Sequence, residues 1–141
     1  MSAIVDYPNV ATARANLKDL VDAAVAGVPS RLHRESSGVA LVDADRLRGL
    51  LSKIGPTAEV VPEAGGWSIF VPGVPVAADG GTFEEAVEEM VVALREYADD
   101  WADHLRLAPN HRDHWGLVQL IGLSSDEQIA EWLVGSADAP R

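Results

Sequence analysis

Gly55-Pro56 restricts the fold of this chain more than any other feature, because glycine ends helices and proline cannot continue one. The pair separates two segments of different electrostatic character. Residues 1–55 hold seven Lys/Arg against six Asp/Glu, whereas residues 56–141 hold four against sixteen. The formal net charge of −11 therefore belongs to the rear segment. A near-neutral front can still present a basic face to a polyanion, and the rear cannot. The rear charge suits a basic protein partner or, more simply, a well-solvated surface. Charge alone leaves both readings open.

Composition narrows the class. With 48% hydrophobic residues the chain can bury a core. It has no cysteine, which excludes disulfides, thiolate metal sites and cysteine nucleophiles. No run approaches the roughly 18 apolar residues of a membrane span. The first residues lack a basic stretch followed by an apolar core, so no signal peptide is expected. A cytoplasmic chain without a membrane partner is predicted.

In the front segment, Ala3-Ile4-Val5 reads as a short edge strand. From about Val10 to Ala26, the apolar positions Val10, Ala13, Leu17, Leu20, Val21, Ala24 and Val25 recur at three-and-four spacing. That spacing predicts one helix with one apolar face, closed by Gly27 and Pro29. Residues 31–34 and 38–42 read as strands joined at Ser36-Ser37-Gly38, and Asp43 caps a second helix to about Ile54. The order β-α-β-β-α in some 54 residues is small for independent stability, so pairing with a second copy is predicted.

Behind the boundary, residues 59–61 and 67–71 read as paired strands, followed by a Pro/Gly-rich stretch at 72–81. Thr82-Phe83-Glu84-Glu85 has the form of a capping box and starts a helix predicted to reach about Leu107. Its stripe of Phe83, Ala86, Val87, Met90, Leu94, Tyr97, Trp101 and Leu105 faces a core. Residues 84–103 otherwise contain eight acids and one base, Arg95, so the opposite face is strongly negative. Residues 115–121 fit a strand or a buried helix turn equally well. Ser124 and Ser125 cap a last short helix, and residues 135–141 read as a frayed tail.

Two resemblances follow from these motifs. Thr12-Ala13-Arg14-Ala15-Asn16-Leu17, the helix closing at Ala26-Gly27, the basic run Arg31-Leu32-His33-Arg34 and the strand Val39-Ala40-Leu41-Val42 together resemble Phd/YefM antitoxins over about residues 3–54. Ala15 and Glu35 depart from that family's pattern. The second resemblance lies in residues 58–98, where Gly65-Gly66-Trp67-Ser68 and Asp79-Gly80-Gly81-Thr82-Phe83-Glu84-Glu85-Ala86 are similar to HicB-like domains. The implied class is α+β. A small Phd/YefM-like β-α-β-β-α dimerisation domain, residues 1–55, would precede an acidic HicB-like ββα(β)α domain, residues 56–141.

The resemblances imply an antitoxin of a type II toxin–antitoxin system, with a cognate toxin, operator DNA and a second copy of the chain as partners. The toxin would act on RNA. Arg14, Asn16, Lys18, Arg31 and Arg34 are the implied DNA-binding residues, since arginine and helix N-termini hold phosphates and guanidinium reads guanine. Trp67, Phe70, Glu84, Glu88, Asp99 and Asp103 are the implied toxin-binding residues. The plainer reading makes these ordinary surface charges, with Lys18 paired to Asp22 one turn on. The four tryptophans, Trp67, Trp101, Trp115 and Trp132, read mainly as core residues.

Other classes are weaker. The acids are spaced along a helix surface and do not converge as metal-dependent hydrolysis needs. His104, His111 and His114 lack a zinc-ligand framework. No phosphate-cradling loop is present, and no cofactor is expected. The rival is a stand-alone transcriptional regulator whose acidic second domain oligomerises or senses a ligand.

Overall fold

The computed structural model describes residues 2–137. The chain forms two compact units, and the division falls between Leu47 and Arg48.

The front unit is a three-stranded sheet carrying two short helices. Strand β1 (Val5–Tyr7) runs parallel to β2 (Ser30–Arg34), which pairs antiparallel with β3 (Ser37–Leu41). The edge strand thus begins where Ala3-Ile4-Val5 was expected to end. The hairpin turn is also displaced. It sits at Glu35-Ser36, and the positive φ of 54° falls on Glu35 rather than on Gly38.

The long helix expected from Val10 to Ala26 is divided into α1 (Val10–Ala15) and α2 (Leu17–Val25). Asn9 caps α1 by accepting a hydrogen bond from the Thr12 amide at 2.8 Å. Asn16 then breaks the run. Its side-chain amide donates to the Thr12 carbonyl at 2.9 Å and its backbone leaves helical geometry at φ −119°, ψ 28°. Asparagine offers the backbone this local alternative, which weakens it inside helices. Gly27 closes α2 as predicted, at φ +92°, with the Gly27 and Val28 amides donating back to the Ala24 and Ala23 carbonyls.

The break changes which residues are buried. Ala13, Leu20, Ala23 and Ala24 pack inward, and Ser30 is fully buried, donating to the Leu20 carbonyl at 2.9 Å. Val10, Leu17, Val21 and Val25 were expected on the same face and are exposed; Leu17 is 57% and Val25 60% exposed. Every residue of β3 is exposed as well.

Helix α3 (Ala44–Ile54) crosses the division between the units. Asp43 opens it, accepting from the Arg46 amide at 3.0 Å.

The rear unit contains an antiparallel meander of β4 (Glu59–Glu63), β5 (Gly66–Phe70) and β6 (Ala77–Gly80). Ala64 and Gly65 form the β4–β5 turn, both at positive φ, 47° and 83°, which matches the twist of tight hairpins. β6 lies in the stretch expected to be a Pro/Gly loop, so the third strand precedes the long helix instead of following it. Gly80 is needed there because the backbone of Glu85-Ala86 passes where a Cβ would sit.

Helix α4 (Phe83–Asp103) covers this sheet. Thr82 Oγ1 accepts from the Glu85 amide at 3.1 Å, and the Glu85 carboxylate accepts from the Gly81 amide at 3.1 Å. The predicted stripe is realised. Ala86, Val87, Met90, Leu94 and Tyr97 are buried with Val60, Ile69 and Val71 of the sheet region. The helix stops at Asp103, short of the expected Leu107, and short 3-10 turns occupy 105–107 and 112–114. Ala108, before Pro109, is extended as the residue preceding a proline prefers.

Residues 115–121 are helical, within α5 (Trp115–Leu123), and α6 (Asp126–Ala137) follows. Leu117, Leu120, Ile121, Ile129 and Leu133 are buried. Ser125 and Gln128 cap α6 reciprocally, at 2.9 and 3.1 Å. Ser124, expected to share that role, is buried and bonds back to the Leu120 carbonyl at 2.6 Å. Residues 135–137 continue α6; the rest of the expected tail, 138–141, lies outside the described residues.

Candidate functional site

Each unit carries candidate residues, and their partners sort them. In the front unit, Arg14 lies exposed in the last turn of α1 and Arg34 exposed at the end of β2. Neither has an ion-pair partner among the described residues. Lys18 is held by Asp22 at 2.7 Å, an i,i+4 pair between well-exposed side chains, and this hydrogen bond raises its pKa. Asn16 gives one side-chain amide hydrogen to the helix break.

Arg31 is differently placed. Asp6 of β1 stands beside it in the parallel register and takes two of its hydrogen bonds, at 3.2 and 3.1 Å. His33 brings Nε2 to 3.0 Å from the same carboxylate. The guanidinium holds the Asp6 carboxyl below its ordinary value, through the hydrogen bond and then its charge, with His33 adding to this. Sequence reading missed Asp6 and His33. Once β1 and β2 are paired in register, strand alternation puts all three on one face.

In the rear unit, Glu84, Glu88, Asp99 and Asp103 are exposed along α4, as are Glu89, Glu96 and Asp100. Arg95, read from sequence as the base interrupting this acidic face, turns away from it. It donates to the Ile121 and Ser124 carbonyls, each at 2.7 Å, and to Asp126 at 2.9 Å. Among the described residues, the acids of α4 make one contact with a basic side chain, Asp103 with His104 Nδ1 at 3.0 Å, which is an ion pair only when the histidine is protonated. The face is thus strongly negative and almost without internal neutralisation.

Trp67 and Phe70 are half-buried on β5. Trp67 meets the Phe83 ring edge-on at 5.5 Å and packs on the core, so it offers only part of its surface to a partner. Trp101 is half-buried and donates to the His111 carbonyl at 2.8 Å. Trp115, expected in the core, is 53% exposed at the start of α5. His111 and His114 do meet, each with Nδ1 on the Tyr97 hydroxyl, at 3.0 and 2.7 Å. They tie the irregular 105–114 segment to α4. Burial raises the Tyr97 pKa.

Comparison with known proteins gives this arrangement its context. Residues 5–135 match the profile of the PHD-like family, described as "Antitoxin of toxin-antitoxin, RelE / RelB, TA system". The chain belongs to this antitoxin family. No curated protein matches the antitoxin by sequence. A crystal structure from Syntrophomonas wolfei subsp. wolfei, described as the antitoxin part of a toxin/antitoxin system, shares its fold. That structure superposes with a TM-score of 0.73 at 22% identity, over 89% of this antitoxin and 94% of the other chain. No described helix of the antitoxin is long and apolar enough to cross a membrane.

Proposed function

We propose that this antitoxin divides its work at Gly55-Pro56. Residues 1–55, Phd/YefM-like, pair with a second copy and repress the operon by binding operator DNA. Residues 56–141, HicB-like and acidic, neutralise a basic, RNA-targeting toxin in the cytoplasm. The acidic face of α4 carries this reading. Exposed carboxylates spaced along a helix, with their one local base turned elsewhere, make a surface of the right sign to meet a basic protein. Glu84, Glu88, Asp99 and Asp103 lie on it, and Trp67 and Phe70 of β5 supply apolar contact.

Dimerisation is supported by what the front unit leaves uncovered. Its buried core is built mainly from small residues, while Val21, Val25, Val39, Leu41 and Val42 are exposed. A domain this small with that much apolar surface open gains stability by pairing. Operator binding is supported by Arg14 and Arg34, which are free to take phosphates. Asn16 stays in the proposed DNA site with the rest of its side-chain amide, and Lys18 must exchange Asp22 for phosphate.

Co-expression tests the toxin half. The full chain should allow growth of cells expressing the neighbouring small reading frame and should co-purify with its product. Growth arrest despite a stable antitoxin would remove the assignment and favour a stand-alone regulator. For the DNA half, Arg14→Ala should weaken retardation of the upstream duplex in a gel-shift assay; undiminished binding would take Arg14 out of the site.

A further inference from the structure

Asp6, Arg31 and His33 form a hydrogen-bonded polar cluster on the front unit. It lies on the sheet face opposite Ser30, whose side chain is buried toward α2. Arg31 and Asp6 remain accessible there, with side chains 45% and 39% exposed.

Which hydrogen bonds Asp6 takes matters more than the pair itself. Guanidinium has five N–H donors in a rigid plane. Asp6 uses the Nε hydrogen and one Nη2 hydrogen, which form the side edge of the fork. The far end keeps one hydrogen on Nη1 and one on Nη2, parallel and pointing away from the carboxylate. That end matches two acceptors side by side. Guanine N7 and O6 present such a pair in the major groove, and a phosphate presents another.

Charge separates these two ligands. Binding to phosphates is dominated by neutralisation and counterion release, to which a pair of zero net charge contributes little. The carboxylate would also stand against the phosphates. A base edge carries no net charge, so there the fixed plane is worth more than the cation. Arg14 and Arg34, unpaired among the described residues, suffice for the backbone.

We propose that Asp6 is a positioning residue that holds Arg31 by its side edge so that the free end reads a guanine of the operator. The inference rests on the operator-binding reading and adds to it the base class and the residue that aims the reader. His33 steadies Asp6 through the oxygen shared with the Arg31 Nε hydrogen.

Fluorescence anisotropy with the full chain tests this on two duplexes, the DNA immediately upstream of its reading frame and a scrambled duplex of equal composition. Asp6→Asn should lower the preference for the upstream duplex about tenfold, within the range that one bidentate base contact supplies. Binding to the scrambled duplex should hold or tighten, because a negative charge is lost. Arg31→Lys should lose the same preference, and the double variant should lose no more than Arg31→Lys alone. Equal weakening on both duplexes, or an unchanged preference in Asp6→Asn, would overturn the guanine assignment while leaving operator binding intact. If the wild-type chain does not distinguish the duplexes, operator binding itself fails and the inference falls with it.

Discussion

At the scale of single residues, the cations of the front unit differ by what already holds them. Lys18 and Arg31 are ion-paired, whereas Arg14 and Arg34 have no ion-pair partner among the described residues. Asp6 makes this measurable by pH. Its folded pKa lies below the ordinary 3.8, so its contribution to stability is present above that value and lost as pH falls through the folded pKa. Wild type should therefore melt above Asp6→Asn at neutral pH, and the two curves should converge in strong acid, where Asp6 no longer pairs with Arg31 or His33. A gap persisting undiminished in acid would mean that the pair does not act through charge. Arg95 is the corresponding residue of the rear unit. Arg95→Met removes the guanidinium donor from the Ser124 carbonyl and leaves the Ile121 carbonyl with the Ser124 amide alone, an expected loss of about 1–3 kcal/mol by urea unfolding.

At the scale of elements, legibility followed the physics of each signal. Caps were readable because they depend on adjacent residues: Gly27, Asp43, Thr82 and Ser125 act where the sequence placed them. The α4 stripe was readable because 21 residues of regular spacing outweigh local noise. Asn16 was hidden because it is one tolerated residue inside a periodic run, and its break depends on a side-chain bond that periodicity does not encode. β6 was hidden by its composition, since Ala-Ala-Asp-Gly has low strand preference and owes its conformation to pairing with β5. The exposed acids of α4 were legible by spacing, whereas the direction of Arg95 needed α5 and α6 in place. Two element-scale results are expected from thermal or chemical unfolding. Thr82→Ala should cost about 1 kcal/mol through the lost cap. Leu94→Ala, at a position with no exposure, should cost about 2–5 kcal/mol.

At the scale of the whole molecule, one antitoxin family profile spans residues 5–135 and so covers parts of both units. In the function proposed above, the charge split corresponds to a division of labour between a front part that pairs and meets DNA and an acidic rear part that meets the toxin. Affinity for the purified neighbouring gene product, measured against salt, tests that division most directly. The proposed account predicts that binding weakens steadily as salt rises. It also predicts that Glu84→Gln/Glu88→Gln/Asp99→Asn/Asp103→Asn binds at least tenfold more weakly at low salt and with a flatter salt profile, while DNA binding is unchanged. Equal affinity for the two proteins, with no dependence on salt, would contradict it.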